Sequence, residues 1–405
     1  MAEPLLEAHP SSRPYLPGSN HCPHLYNDVS HQDQLGLGGF VSNAPEHFMV
    51  HELPKYMPSG DGEHTMVLIL KYMLSTEEAI SKIASATGVM SSDIGYSGRK
   101  DKYAIATQWL SLPCLPEQVK SGDPNVFILQ AVAHKNKLRL GHNAGNLFNI
   151  LISDIRNPER VEDELERLKK GIPNYFGTQR FGRPFYEKKP TEGYQPPISP
   201  NGVILQDPLN PARDNVDRAL IFLDRFHQKK NQRVNGKKKR EIKLALSALQ
   251  SALFNLWIGQ RLHDGLIDQV IMGDVCRKVE GGTFYSTDPE LDTARLVNGE
   301  IDILGPMVGP KLFPAQAEAR EREEALYQSW GLTEARRNGL GKIWRGDRRP
   351  IKLRPQHLQG ALESQLDETF DLRLRFSLPS GSFATNLLGA LISPESQVFL
   401  RVRLD

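Results

Sequence analysis

Asp93-Ile-Gly-Tyr-Ser-Gly-Arg-Lys-Asp-Lys-Tyr-Ala-Ile-Ala-Thr-Gln-Trp-Leu-Ser-Leu112 is apolar at both ends and charged in the middle, a pattern that predicts two strands joined by a loop. The loop isolates one carboxylate, Asp101, among Arg99, Lys100 and Lys102. Cations on both sides of an acid favour its ionised form, so Asp101 is expected to stay deprotonated and available as a nucleophile or base. Gly98 is expected to let the backbone turn sharply and present that side chain at a loop tip. A solvated surface turn has the same composition, so the surroundings must decide between the two.

Outward from this loop, strands and helices are interspersed. Upstream, His47–Leu53 reads as a strand and Thr65–Leu70 as a buried one. Ser75 and Glu78 form a capping box, Ile80, Ile83, Ala84 and Thr87 keep one helical face, and Gly88 stops the helix. Downstream, Leu147–Ile152 reads as a strand. It leads to a helix that Asn157 caps, Pro158 opens and Gly171 closes. Strand-rich gaps between the helices favour an α+β fold over a doubly wound sheet. Beyond Phe185 the composition shifts. Lys188 to Pro211 is proline-rich and aperiodic, which predicts a loop, and Arg225 to Lys243 carries nine Lys/Arg against one acid, Glu241. Leu244–Leu262 reads as a helix with Leu246, Leu249, Leu253, Leu256 and Trp257 on one face. Residues 1–38, rich in Pro, Ser, His and Asn, read as an irregular extension.

The length of 405 residues predicts two or three domains. A net charge of +2 does not by itself mark a nucleic-acid binder, so that argument rests on local clusters. Cys22, Cys114 and Cys276 are few and far apart, which fits a reducing compartment and offers no disulfide framework. His21-Cys22-Pro23-His24 has metal-ligand types, but no second Cys/His cluster completes a four-ligand site. No apolar run approaches bilayer length and the start lacks the regions of a signal peptide, so a cytoplasmic protein is expected.

Five segments, in matching order, resemble the TruD-type pseudouridine synthases. They are Pro45-Glu-His-Phe-Met-Val-His-Glu52; Gly95 to Gln108; His134-Lys-Asn-Lys-Leu-Arg-Leu-Gly141 with Gly145-Asn-Leu-Phe148; Gly171-Ile-Pro-Asn-Tyr-Phe-Gly-Thr-Gln-Arg-Phe-Gly182; and Leu378-Pro-Ser-Gly-Ser-Phe-Ala-Thr385. Ser251-Ala-Leu-Phe-Asn255 and Gly273-Asp274 also fall where that family has similar residues, and the resemblance covers residues 39 to 395. It implies an α+β catalytic domain with a mixed or antiparallel sheet flanked by helices, plus an inserted α/β domain. On this reading residues 39–177 and 342–405 form the catalytic domain and 178–341 the insertion.

The resemblance also implies the chemistry: isomerisation of a uridine to pseudouridine in transfer RNA, at position 13, with no cofactor and no metal. The bond from N1 to the ribose must break, the uracil must rotate, and C5 must bond to the same ribose carbon. Asp101 matches the family's catalytic aspartate. It would serve either by adding covalently to sugar or base, or by abstracting a ribose proton to form a glycal. The target base must leave its stack and rest against an aromatic face. Phe148 matches the family aromatic, with Phe48 a second stacking candidate and Asn146 an amide for a polar edge. Arg99, Lys100, Gln179 and Arg180 complete the substrate-binding candidates, with Asn174 as a further polar group and Tyr175 and Phe176 as packing. Lys229, Lys230, Arg233, Lys237, Lys238, Lys239 and Arg240 form a patch suited to RNA phosphates, and a monomer is expected.

Two residues depart from the family pattern. His47 replaces the acid before Phe48, and Ser42 stands where some members carry a cation that would pair with the aspartate. Lys100 and Arg99 are the candidate replacements by proximity in sequence. Two rival readings are an RNA-binding or chaperone protein with lost catalysis, and a glycosidase-like hydrolase. The hydrolase needs a second carboxylate, for which Glu52 is the candidate, although its plainer reading is a surface charge at a strand end.

Overall fold

The computed structural model describes residues 36–42, 44–176, 215, 218–219, 222–223, 236–338, 344–365 and 369–392, with only the backbone at Lys237, Lys238, Ala335 and Asn338. The proline-rich 188–211 segment, the His21–His24 cluster, Gln179, Arg180, Lys229, Lys230 and Arg233 lie outside the described residues. The chain forms two compact units. One comprises Gln34–Ile172 and Arg354–Asp405, and the other contains Pro173–Leu353. These crossings differ from the boundaries expected at 177 and 342 because Tyr175, Phe176, Trp344 and Ile351 are buried in the second unit's core.

The first unit is built on β1 (Phe48–Pro54), β2 (His64–Tyr72), β3 (Gly95–Tyr96), β4 (Ile105–Leu112), β5 (Val126–His134) and β6 (Asn143–Ile152). The chain leaves it through β7 (Ile172–Pro173). After β8 (Val275–Lys278), β9 (Thr283–Tyr285), β10 (Ile301–Met307), β11 (Asp347–Pro350) and β12 (Lys352–Leu353), it returns as β13 (Gln356–Ser364) and β14 (Phe370–Pro379). The first unit's sheet runs β13-β14-β6-β1-β4-β2-β5, with β3 also paired to β4. The β1–β4 pair is parallel and the other pairs are antiparallel, so the sheet is mixed.

Helix α1 (Thr76–Thr87) covers one face of this sheet, burying Ala79, Ile80, Ile83 and Ala84 against Val67, Ile69 and Leu110. Its capping box forms as predicted, and Gly88 ends it in the left-handed region at φ 74°. The Asn157 side chain, by contrast, does not cap: it donates to Gly36 O at 2.7 Å, and a 3-10 turn (Pro158–Arg160) precedes α2 (Val161–Lys169).

The second unit centres on α3 (Gly236–His263), whose Leu246, Leu249, Leu253, Leu256 and Trp257 are all buried in its core. The helix begins at Gly236 rather than Leu244, since the lysines and arginine between are good helix formers. It packs on a β11-β10-β8-β9 sheet with α4 (Pro289–Val297) and α5 (Ala317–Ser329), which α6 (Glu334–Asn338) follows. Residues Lys239–His263 are apolar and long enough to cross a bilayer, contrary to the sequence expectation, but 72% of the most apolar window is buried, as in a core helix. In the first unit, α7 (Ala384–Leu391) follows β14 and buries Leu387, Leu388 and Leu391.

Gly95 marks a close approach in the first unit. A Cβ there would press on Leu138 O and sit 2.5 Å from Ser111 Oγ. Because one obstacle is backbone, Gly95→Ala is expected to cost roughly 1–3 kcal/mol, like other overpacking substitutions. A thermal melt checks this, and an unchanged midpoint would refute it.

Candidate active site

Strand register assembles the site. Lys71 faces Ala106, Ala106 faces Val50, Val50 faces Phe148, and Phe148 faces Phe376 across adjacent strands. Glu52 likewise faces Asn146. Cross-strand partners share a face, and side chains alternate along each strand. Lys71, Gln108, Glu52, Asn146 and Phe148 therefore share the face on which α1 packs.

The loop carrying Asp101 is pinned to this face at nearly every residue. Gln108 Nε2 donates to Gly98 O at 2.5 Å, and Thr76 Oγ1 donates to Gln108 Oε1 at 3.0 Å. The Lys100 amide donates to Thr76 Oγ1 at 2.9 Å, and the Gly141 amide to Ser97 O at 2.7 Å. Lys71 Nζ donates to Asp101 O and Leu74 O, each at 2.5 Å. Asp101 itself is exposed. Gly98 has no left-handed φ, and a Cβ there would meet only atoms at 3.9 Å. The turn is thus made by these bonds and not by glycine's conformational freedom.

Each of the three flanking cations pairs with a glutamate. Arg99 pairs with Glu77 at 2.6 Å, Lys102 with Glu78 at 2.8 Å and Lys100 with Glu52 at 3.0 Å. The first two pairs are exposed and contribute little stability. Lys102, followed by the capping-box bonds from Ser75, holds the Glu78 carboxyl down at about 2. The Asp101 charge acts on Lys71. Burial lowers this ammonium to about 8, and the Asp101 charge is the strongest influence in the opposite direction. Sequence reading passed over Lys71. The available signal was periodicity: Val67, Ile69 and Lys71 alternate onto the buried side of β2, and a buried cation requires a partner.

Glu52 is not a surface charge at a strand end. It is 5% exposed and pairs with Lys100. Burial raises its carboxyl above the ordinary range against the pull of Lys100, the Trp109 backbone and Ser97. No well-aligned hydrogen bond reaches either oxygen among the described residues. Lys100 Nζ also donates to Asn146 Oδ1 at 2.7 Å, which orients that amide and leaves its Nδ2 as a donor. Phe148 is buried, stacked on Phe376 (5.2 Å between centroids, 22°) and met edge-on by Phe48 at 6.2 Å. Phe48 is also buried, and it supports the Phe148 ring from the side.

The two departures from the family pattern bond to each other, Ser42 Oγ lying 2.6 Å from His47 Nδ1. Ser380 Oγ donates to Asn143 Oδ1 at 2.9 Å, tying the fifth segment to the start of β6. In the second unit, the fourth segment has a packing role where it is described. Asn255 brackets the Phe176 backbone, accepting from its N–H at 2.8 Å and donating to its O at 3.0 Å. Asn174 bonds Pro350 O and Arg349, and Asp274 takes both arms of the buried Arg261. Lys239 and Arg240 are exposed at the start of α3.

The family described as tRNA pseudouridine synthase D (TruD) matches residues 28–188 and 234–390. A protein named tRNA pseudouridine synthase D from Anaeromyxobacter sp. (strain Fw109-5) is 35% identical over 368 residues, covering 90% of this chain and 95% of its own. One of the same name from Thermus thermophilus is 35% identical over 379 residues, covering 90% and 92%. The fold is shared with a solved structure of a Methanosarcina mazei protein named for tRNA pseudouridine synthase D. There the TM-score is 0.63 at 21% identity, covering 90% of this chain and 96% of that one.

Proposed function

The chain belongs to the tRNA pseudouridine synthase D family, and on that footing we propose that Asp101 converts uridine 13 of transfer RNA to pseudouridine. The reaction class is the family's: an isomerisation in which a uridine of transfer RNA exchanges its N1 bond to ribose for a C5 bond. The observation that carries the residue assignment is the pinned loop, with Asp101 exposed and Lys71 buried beside its backbone. Preorganised charge costs no rearrangement when the reaction begins. Asp101 acts on the extruded nucleoside, either by bonding to it or by taking a ribose proton. The Asn146 Nδ2 donor meets a uracil carbonyl, and the Phe148–Phe376 stack forms the apolar wall beside it. Lys100 orients Asn146, while Lys239 and Arg240 add phosphate-binding charge at the N-terminus of α3, where the helix dipole is also positive. The enzyme works as a cytoplasmic monomer.

Transfer RNA transcripts treated with the protein and probed chemically for pseudouridine test this reading. One modified site, at position 13, is expected; modification elsewhere alone would refute the position.

Lys71 sets a pH limit. Its ammonium loses the proton as pH rises through about 8, and a neutral amine no longer balances the Asp101 charge. The rate is therefore expected to fall above about pH 8 and to hold below it. Lys71→Arg keeps the charge and should move that alkaline limb upward by at least a pH unit. An unchanged limb in the variant would remove Lys71 from this role.

A further inference from the structure

The first unit holds a cavity that the isomerisation chemistry does not use. It measures about 550 Å³ and is lined by Tyr56, Met57, His134, Asn136, Lys137, Arg139 and His142, within the range of about 300–1,000 Å³ usual for small-ligand sites. Its wall is aromatic. The Tyr56 ring lies parallel to His134, with centroids 5.4 Å apart at 17°, and meets His142 edge-on at 5.9 Å. The Tyr56 hydroxyl is fixed 2.8 Å from His142 Nδ1, yet 37% of the residue remains exposed. Its cations are uncommitted to acids. Among the described residues Lys135 pairs with Asp61, whereas Lys137 donates only to a carbonyl, Ser92 O, and Arg139 is exposed with no carboxylate partner. The His134 ring that backs Tyr56 is itself held in place. His134 Nδ1 accepts the Ser59 amide at 3.2 Å, which places the ring proton on Nε2, and that atom is buried without a partner among the described residues.

We propose that this cavity binds a second unstacked nucleotide of the transfer RNA, with its base on Tyr56 and its phosphate on Lys137 and Arg139. A flat aromatic face and two cations without acids together match a nucleotide's ring and phosphate. The site is coupled to the catalytic loop through backbone. Gly141 N–H donates to Ser97 O at 2.7 Å and Leu138 N–H to Ser111 Oγ at 2.8 Å, so the turn bearing Arg139 is bonded to the segment before Asp101 and to the end of β4 after it. A nucleotide seated here registers the RNA against that segment. This inference rests on the transfer RNA reading above.

The test uses the full-length protein and a transfer RNA transcript, measuring Kd across a salt series and single-turnover conversion at saturating enzyme. The double variant Lys137→Gln/Arg139→Gln is expected to raise Kd about tenfold and to flatten the slope of log K against log salt by roughly 0.7–0.9 per lost contact. Its saturated conversion rate should change far less than its Kd. Tyr56→Ala is expected to weaken binding by roughly tenfold without changing that slope. If Tyr56→Ala fails to fold, the double variant still decides, because its side chains are not part of the core. A double variant with the parent's Kd and slope would overturn the inference alone. An unsubstituted protein that neither binds nor converts transfer RNA would overturn this inference and the functional reading together.

Discussion

Asp101→Asn is expected to lower pseudouridine formation by at least about 10⁴-fold, the scale seen when an enzyme loses its reacting group. The substitution keeps the side chain's shape, and the bonds that pin the loop use the Asp101 backbone or other residues: Lys71 on its carbonyl, Thr76 on the Lys100 amide, Gln108 on Gly98. The variant should therefore fold and bind transfer RNA within a few-fold of the parent while producing almost no product. Release of the C5 hydrogen from labelled uridine measures this directly, since forming the new carbon bond expels it. Activity within tenfold of the parent would show that another group carries the reaction.

Lys100→Met should be the most damaging change to the fold of the first unit. It leaves the Glu52 carboxylate, 5% exposed, without its 3.0 Å partner. Breaking one side of a buried pair costs about 3–5 kcal/mol, on the order of 10 °C in melting temperature. The pH dependence has a definite sign. Burial already raises the Glu52 carboxyl, and losing the ammonium raises it further. The folded chain then holds that proton more tightly than the unfolded chain, so the variant loses stability as pH rises through the new value and suffers least in acid. Adding Glu52→Met should restore much of the stability by removing the stranded charge. It should not restore activity, because Asn146 remains without the ammonium that orients it. A double variant that regained both would reduce the triad to a packing element.

Much of the fold was readable from local chemistry. The Ser75–Glu78 capping box, the Gly88 stop, the α3 face from Leu246 to Trp257 and the strands on either side of Asp101 depend on neighbours within a few residues. Asn157 misled because a side chain that could cap a helix was taken by Gly36 O, distant in sequence. Strand β5 was missed because an edge strand that leaves Phe127 and Leu129 exposed lacks a clear in-out alternation.

The candidate site divides along the same line. Which residues are candidates, Asp101, Asn146 and Phe148 among them, was visible as residue types in the order of the family's segments. Whom each residue touches was not. Arg99, Lys100 and Lys102 flank Asp101 in the chain yet turn to Glu77, Glu52 and Glu78, while Lys71, thirty positions away, reaches its backbone. Charge acts through space and is limited by burial. Sequence alone therefore determined the elements and the chemistry they could carry, and only the pairing of β2, β4, β1 and β6 decided which cation stands beside which acid.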